Sequence, residues 1–166
     1  MTDIRVLTME NLDITDLKIL KCLQQDASLT NVELASKVSL SPSPTLARVK
    51  KLEADGVISD YVALVDPHAL GLKVNVFVRV SLEKQEAAAL ERFEKAVSHF
   101  DEVMEVYLMT GDEDYLLRIV VPDLQALERF ILHNLTRIPG IKNIKSSFAL
   151  KQVKYKTALP ISDSLS

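Results

Sequence analysis

The sequence predicts an α+β chain built in two successive parts, helices first and alternating strands and helices second. From Leu12 to Asp55 the apolar residues recur at helical spacing, and from Val74 onward they alternate every second residue, as in a strand with one buried face. The change of period falls at Asp66-Pro67 and Gly71, residues that interrupt both kinds of element.

The first helix begins near Asp13 and frays around Asp26-Ala27-Ser28, with Leu12, Ile19, Leu20 and Leu23 on one stripe. Thr30 followed by Glu33 is a capping box for a second, short helix whose Leu34, Ala35 and Val38 point inward. It ends at Ser39-Leu40-Ser41. Ser41-Pro42-Ser43-Pro44 opens the third helix, where proline is tolerated because first-turn amides lack an intrahelical partner. Leu46, Val49 and Leu52 are expected as its buried stripe, and Gly56 as its stop. Val57-Ile58-Ser59 and Tyr61 to Val65 read as a short β-wing or linker strand. Three helices with a tight turn before the last is helix-turn-helix geometry.

In the second part, Val74, Val76, Val78, Val80 and Leu82 alternate with Asn75, Phe77, Arg79 and Ser81. A helix follows from Gln85 to His99. Strands at Val103 to Thr110 and Tyr115 to Val121 flank the turn Gly111-Asp112-Glu113-Asp114, a hairpin. Pro122-Asp123 starts another helix with Leu124, Leu127, Phe130 and Ile131, and a last strand runs from Ile141 to Leu150. The order βαββαβ is the ferredoxin-like split arrangement. Tyr107, Met109 and Phe77 make the strands apolar on both faces, which predicts burial against a second sheet, most simply that of another copy in a symmetric homodimer.

The hydrophobic fraction of 48% and charged fraction of 26% are those of a soluble globular protein. Without a run of about eighteen apolar residues no membrane span is expected. The N-terminus lacks a secretory core and Cys22 stands alone, so a cytoplasmic chain without an internal disulfide is expected. A net charge of −3 excludes coating of nucleic acid by bulk charge, so any DNA binding must be local. Arg48, Lys50 and Lys51 supply a local basic cluster on the third helix. Ser41, Ser43, Thr45 and Arg48 are of the types that reach base edges or phosphates, and Lys50 and Lys51 suit the backbone. The same three cations can also be only a solvated face; the three-helix context favours the DNA reading.

The second candidate is the turn Gly111-Asp112-Glu113-Asp114-Tyr115. Gly111 can bring backbone amides to a carboxylate, Asp112 or Asp114 can accept from an ammonium, and Leu108 and Leu124 can form an apolar wall. A free amino acid needs those three features, although the turn is also ordinary hairpin chemistry. No enzyme, metal or cofactor is expected. His68, His99 and His133 lack metal-ligand partners at helical spacing, and neither a phosphate loop nor a nucleophile elbow is present.

Residues 12–58, beginning LDITDLKIL and including SLSPSPTLARVKKLEADGVI, together with YLMTGDEDYLLRIVVPD and LTRIPGIKNIKSSFAL, resemble the Lrp/AsnC or feast/famine regulators over nearly the whole chain. The segments VNVFVRVSLEKQ and SSFALKQVKYKTALP look closest to the branch controlling branched-chain amino acid and keto-acid metabolism. The resemblance implies a winged helix-turn-helix DNA-binding domain at 1–60, a linker strand at 61–73, an amino-acid-sensing and oligomerisation domain at 74–158, and a tail at 159–166. It implies double-stranded DNA as partner and homodimers assembling into an octamer on the nucleoid. It also implies an amino-acid effector against Gly111 to Tyr115, with Leu108, Leu124, Ser147, Phe148 and Ala149 matching the effector-response region. The apolar lining predicts leucine or methionine. Ser39, where many relatives have Gly, and Thr45, where many have Cys, depart from the pattern. The alternative function is an effector-independent, nucleoid-organising protein that wraps DNA by shape.

Overall fold

The computed structural model describes residues 12–162. Residues 1–11 of the expected first domain and 163–166 of the expected tail lie outside the described residues. The chain divides into two compact units. Described residues up to Ala63, together with those from Lys154 on, form one, and Leu64–Val153 form the other.

The first unit holds helices α1 (Ile14–Gln25), α2 (Asn31–Lys37) and α3 (Pro42–Ala54). Asp13 caps α1 and Thr30 caps α2, each in a reciprocal capping box that satisfies first-turn amides. Ile19, Leu34, Val38 and Leu52 meet in the core. The amide of Val57 donates to the Leu52 carbonyl at 2.9 Å, with Gly56 at φ +74°, and this left-handed closure ends α3 as expected.

Two expectations for this unit fail. Leu46 is 43% exposed, and fully buried Thr45 takes the inward position beside Leu52. Positions 45, 49 and 52 follow the helical period, which turns position 46 aside. Nor do residues 57–65 form a strand. β-propensity becomes a strand only through ladder partners, and Val62, Leu64 and Val65 remain exposed instead. From the other end of the chain, the Leu159 amide donates to Gln24 Oε1 at 2.6 Å on α1, and Gln24 Nε2 returns to the Leu159 carbonyl at 3.4 Å.

Between α2 and α3, Ser39 sits at φ +57°, the left-handed region where a Cβ is costly. Asn31 Nδ2 donates to the Pro42 carbonyl at 2.9 Å and ties the two helices together. Ser39→Gly should relieve the strain and raise the stability of the helical unit by about 0.5–1 kcal/mol, since the Cβ penalty exceeds the entropy glycine adds to the unfolded chain. A higher melting temperature by circular dichroism checks it.

The second unit holds β1 (Val74–Leu82), α4 (Ala87–Val97), β2 (Val103–Leu108), β3 (Tyr115–Val121), α5 (Leu124–His133) and β4 (Ile141–Phe148), with a 3-10 turn at Leu135–Arg137. The sheet order is β2-β3-β1-β4, antiparallel throughout, as the ferredoxin-like reading requires. Val76, Val78, Val80 and Leu82 of β1 and Leu117, Ile119 and Val121 of β3 bury one face against Phe93 and Val97 of α4 and Leu127 and Phe130 of α5. The Phe93 and Tyr115 rings stack with centroids 4.5 Å apart, and Phe100 meets Phe130 edge-on.

Tyr115 is 1% exposed and donates its hydroxyl to Glu94 at 2.8 Å. Burial first, then the Glu94 hydrogen bond and charge, push this hydroxyl well above the usual tyrosine range. In the unfolded chain it ionises near pH 10. The stability it confers is therefore complete below that pH and declines as pH rises from about 10 towards the folded value. Tyr115→Phe should flatten that alkaline decline, as read by urea denaturation at a series of pH values.

Candidate functional site

Helix α3 turns Ser43, Ala47, Lys50 and Ala54 to solvent along one stripe. Lys50 makes no ion pair among the described residues, whereas Lys51 is held by Asp55 at 2.6 Å. Ser41 is the N-cap, exposed, with no side-chain cap bond. Thr45, predicted on the reading surface, instead faces the core, and its hydroxyl donates to the Ser41 carbonyl at 3.0 Å. Arg48, partly exposed, turns back towards α1. Its Nη1 contacts Asp13 Oδ2 at 2.6 Å and Asp16 Oδ1 at 2.8 Å, across to α1. Ala47 was not singled out from the sequence; the period from exposed Ser43 through Lys50 is the signal that finds it.

In the second unit the predicted ligand residues separate into three groups. Asp114 and Tyr115 belong to the interior. Asp114 accepts from the Leu82 amide at 2.7 Å and from Gln85 Nε2 at 2.6 Å, so both carboxylate oxygens are used within the fold. Buried and bonded inside the fold, the carboxylate is not presented at the surface as the ammonium acceptor expected of this residue.

Glu113 and Ser147 form a second group through two cations that the sequence reading passed over. Lys145 Nζ lies 3.2 Å from Glu113 Oε1, and Arg79 reaches both Glu113, at 3.9 Å, and Ser147 Oγ, at 3.3 Å. Arg79 and Lys145 are paired across β1 and β4 on the sheet face away from the helices. Their place in the polar slots of alternating strands hid them. Gly111 and Asp112 are exposed in the turn beside this cluster, Gly111 at φ +132°, a backbone conformation that favours glycine.

The third group is a groove. Leu124, Leu127, Glu128, Ile131 and Leu132 of α5 with Ser146 and Phe148 of β4 line an open groove of about 380 Å³. Leu124 and Phe148 were expected at a ligand; the other five complete the lining. Five apolar side chains with one carboxylate and one hydroxyl form a surface suited to a small molecule with an aliphatic body and a cationic end. Leu108 and Ala149 are exposed outside the groove.

On the sheet face away from the helices, Arg118 joins Glu105 and Asn75 between the apolar Phe77, Leu116 and Val120. The Tyr107 hydroxyl and the Arg118 guanidinium hold the Glu105 carboxyl below the usual range against the opposing pull of burial. Arg118 and Glu105 are thus already paired with each other within the chain. Among the described residues no helix is long and apolar enough to cross a membrane.

A helix-turn-helix unit joined to a βαββαβ unit defines a DNA-binding transcriptional regulator with a ligand domain. Residues 12–59 match the winged helix-turn-helix DNA-binding family, and residues 75–159 match the Lrp/AsnC ligand binding domain. The chain belongs to the Lrp/AsnC family of transcriptional regulators. It is 48% identical over 153 residues to the Bkd operon transcriptional regulator of Pseudomonas aeruginosa, covering 92% of this chain and 100% of that protein. It is 39% identical over 152 residues to the leucine-responsive regulatory protein of Escherichia coli, covering 92% and 93%. A Neisseria meningitidis transcriptional regulator solved in complex with L-methionine superposes with a TM-score of 0.85 at 42% identity, over 90% of this chain and 96% of that one.

Proposed function

We propose that the chain is a sequence-specific regulator whose oligomeric state or DNA affinity responds to a small apolar amino acid, leucine or methionine, and that it has no catalytic activity. The observation that carries this is the groove between α5 and β4. Its aliphatic wall fits an unbranched or γ-branched side chain, and Glu128 offers an acceptor to the ammonium. A lysine or aspartate side chain in the same place would bury a charge without a partner. The leucine-responsive name of one relative and the methionine bound to another support the same ligand class.

On this reading residues 1–60 serve as DNA reader, 61–73 as connector, 74–158 as sensor and oligomerisation domain and 159–166 as tail. Ser41, Ser43, Lys50 and Lys51 face the duplex. Gly111 and Asp112 in the turn, with Glu113 and Ser147 on the open sheet face, contact the effector or a neighbouring subunit. The Arg118–Glu105 pair between Phe77, Leu116 and Val120 suits this part of the open sheet face to burial in a homodimer, since neither of those ions would be trapped without its partner. Dimers then assemble into an octamer in the cytoplasm, on the nucleoid.

Effector binding shifts assembly only through unequal affinity for two states, so the assembly that leucine favours must bind leucine more tightly. Calorimetric titration of the full chain with leucine, methionine, lysine and aspartate, paired with sedimentation velocity, tests this. Saturable binding of leucine or methionine with a shift in sedimentation is expected. Equal binding of lysine defeats the apolar assignment. Binding of none, with long unselective footprints on DNA, is the result an effector-independent wrapping protein would give.

A further inference from the structure

We propose that Arg48 is a positioning residue that locks the recognition helix α3 onto the N-terminus of α1, and that it stays off the duplex when DNA is bound. The arrangement around it is complete without DNA. Asp13 Oδ1 accepts from the Asp16 amide at 2.8 Å and Asp16 Oδ2 accepts from the Asp13 amide at 3.2 Å, closing the capping box. That leaves one oxygen on each carboxylate, and Arg48 Nη1 takes both, at 2.6 and 2.8 Å.

Without the guanidinium, two carboxylates would face each other across a single helical turn. With it, all four oxygens are engaged and their repulsion is offset. The Asp16 side chain is only 14% exposed and that of Arg48 35%, so solvent screens this pair less than an open surface bridge. The Asp16 and Asp13 hydrogen bonds raise the Arg48 pKa against the opposing effect of burial.

The position in the helix agrees. Arg48 lies one residue from Val49, on the flank between the buried stripe of Thr45 and Leu52 and the outward stripe of Ser43, Ala47 and Lys50. Both Nη1 hydrogens are committed to Asp13 and Asp16, and a phosphate drawn to the remaining Nε and Nη2 donors would stand beside two carboxylates that repel it. Lys50 carries no such obligation among the described residues. Base and phosphate contact therefore falls to the 43, 47 and 50 stripe, and Arg48 sets the angle at which that stripe is presented.

The test uses the full chain and two duplexes of equal length, one recovered by selection from a random pool on the unaltered protein and one of random sequence. Arg48→Ala and Asp16→Asn are compared at a temperature where circular dichroism shows each folded. Both should lower the ratio of selected to random affinity by about tenfold, with the salt dependence of random-duplex binding unchanged. A phosphate contact would instead lower the salt slope by about 1 in Arg48→Ala. Such a contact also predicts that Asp16→Asn, which frees the arginine and removes a nearby acid, leaves affinity unchanged or tightens it. Either result overturns the proposal. An equal loss on both duplexes overturns it too, because that is the mark of a smaller folded fraction rather than a misaimed helix. Should Arg48→Ala not fold, Asp16→Asn and Arg48→Lys carry the same decision, the lysine retaining part of the ratio.

Discussion

Replacing Asp114 with alanine is expected to destabilise the βαββαβ unit by about 2–3 kcal/mol, the largest stability effect of any single change in the turn that joins β2 and β3. Its two acceptor oxygens hold the Leu82 amide at the end of β1 and the Gln85 amide in the connection to α4. The Leu82 amide would be left buried without a partner, which costs more than the hydrogen bond itself contributes. Asp114→Asn keeps one acceptor and should lose about half as much. Hydrogen exchange followed by mass spectrometry on peptides covering β1 and β3 checks both, and loss of protection confined to the helical unit would contradict it. The same experiment separates two meanings of effector loss. If Asp114→Ala abolishes amino-acid binding only in proportion to lost protection, the carboxylate supports the fold and does not touch the ligand.

Lys50→Glu is expected to produce the largest functional effect, weakening DNA binding on the order of 10–100-fold at physiological salt. The ammonium stands on the solvent stripe of α3 without an ion pair among the described residues, so its whole charge is available to a phosphate. Reversal replaces attraction by repulsion at short range. Lys50→Ala should remove only the attraction and lower the salt slope by about 1. Fluorescence anisotropy over a salt series measures both. Lys51, already paired with Asp55, should matter less, and a larger loss from Lys51→Ala than from Lys50→Ala would reverse this assignment.

Much of the architecture was legible because buried surfaces write their period into the chain. β1 and β3 follow their alternating valines and leucines from end to end, and the start of α2 carries a capping box, Thr30 with Glu33, readable as a letter pattern. The misreadings have a common origin in residues whose role depends on a partner distant in sequence. Thr45 is polar in a helix start made of Ser and Pro, and its apolar neighbour Leu46 points to the wrong phase. Burial is tolerated because its hydroxyl is spent on the Ser41 carbonyl. Arg48 reads as an exposed cation until Asp13 and Asp16, more than thirty residues away, are brought beside it. In Gly111-Asp112-Glu113-Asp114 the letters do not say which acid turns inward. That choice is made by the free amide at the end of β1. Residues 57–65 had the composition of a strand and lacked the ladder that makes one.

The Gln24 clasp on Leu159 gives the helical unit a discontinuous pedigree, since it is assembled from residues before Ala63 and after Lys154. Excising the reader as a fragment that stops at Ala63 would strip α1 of that clasp and leave the Gln24 amide to water. A fluorophore attached at residue 162 would ride with the part of the molecule that meets DNA, despite following the sensor in sequence.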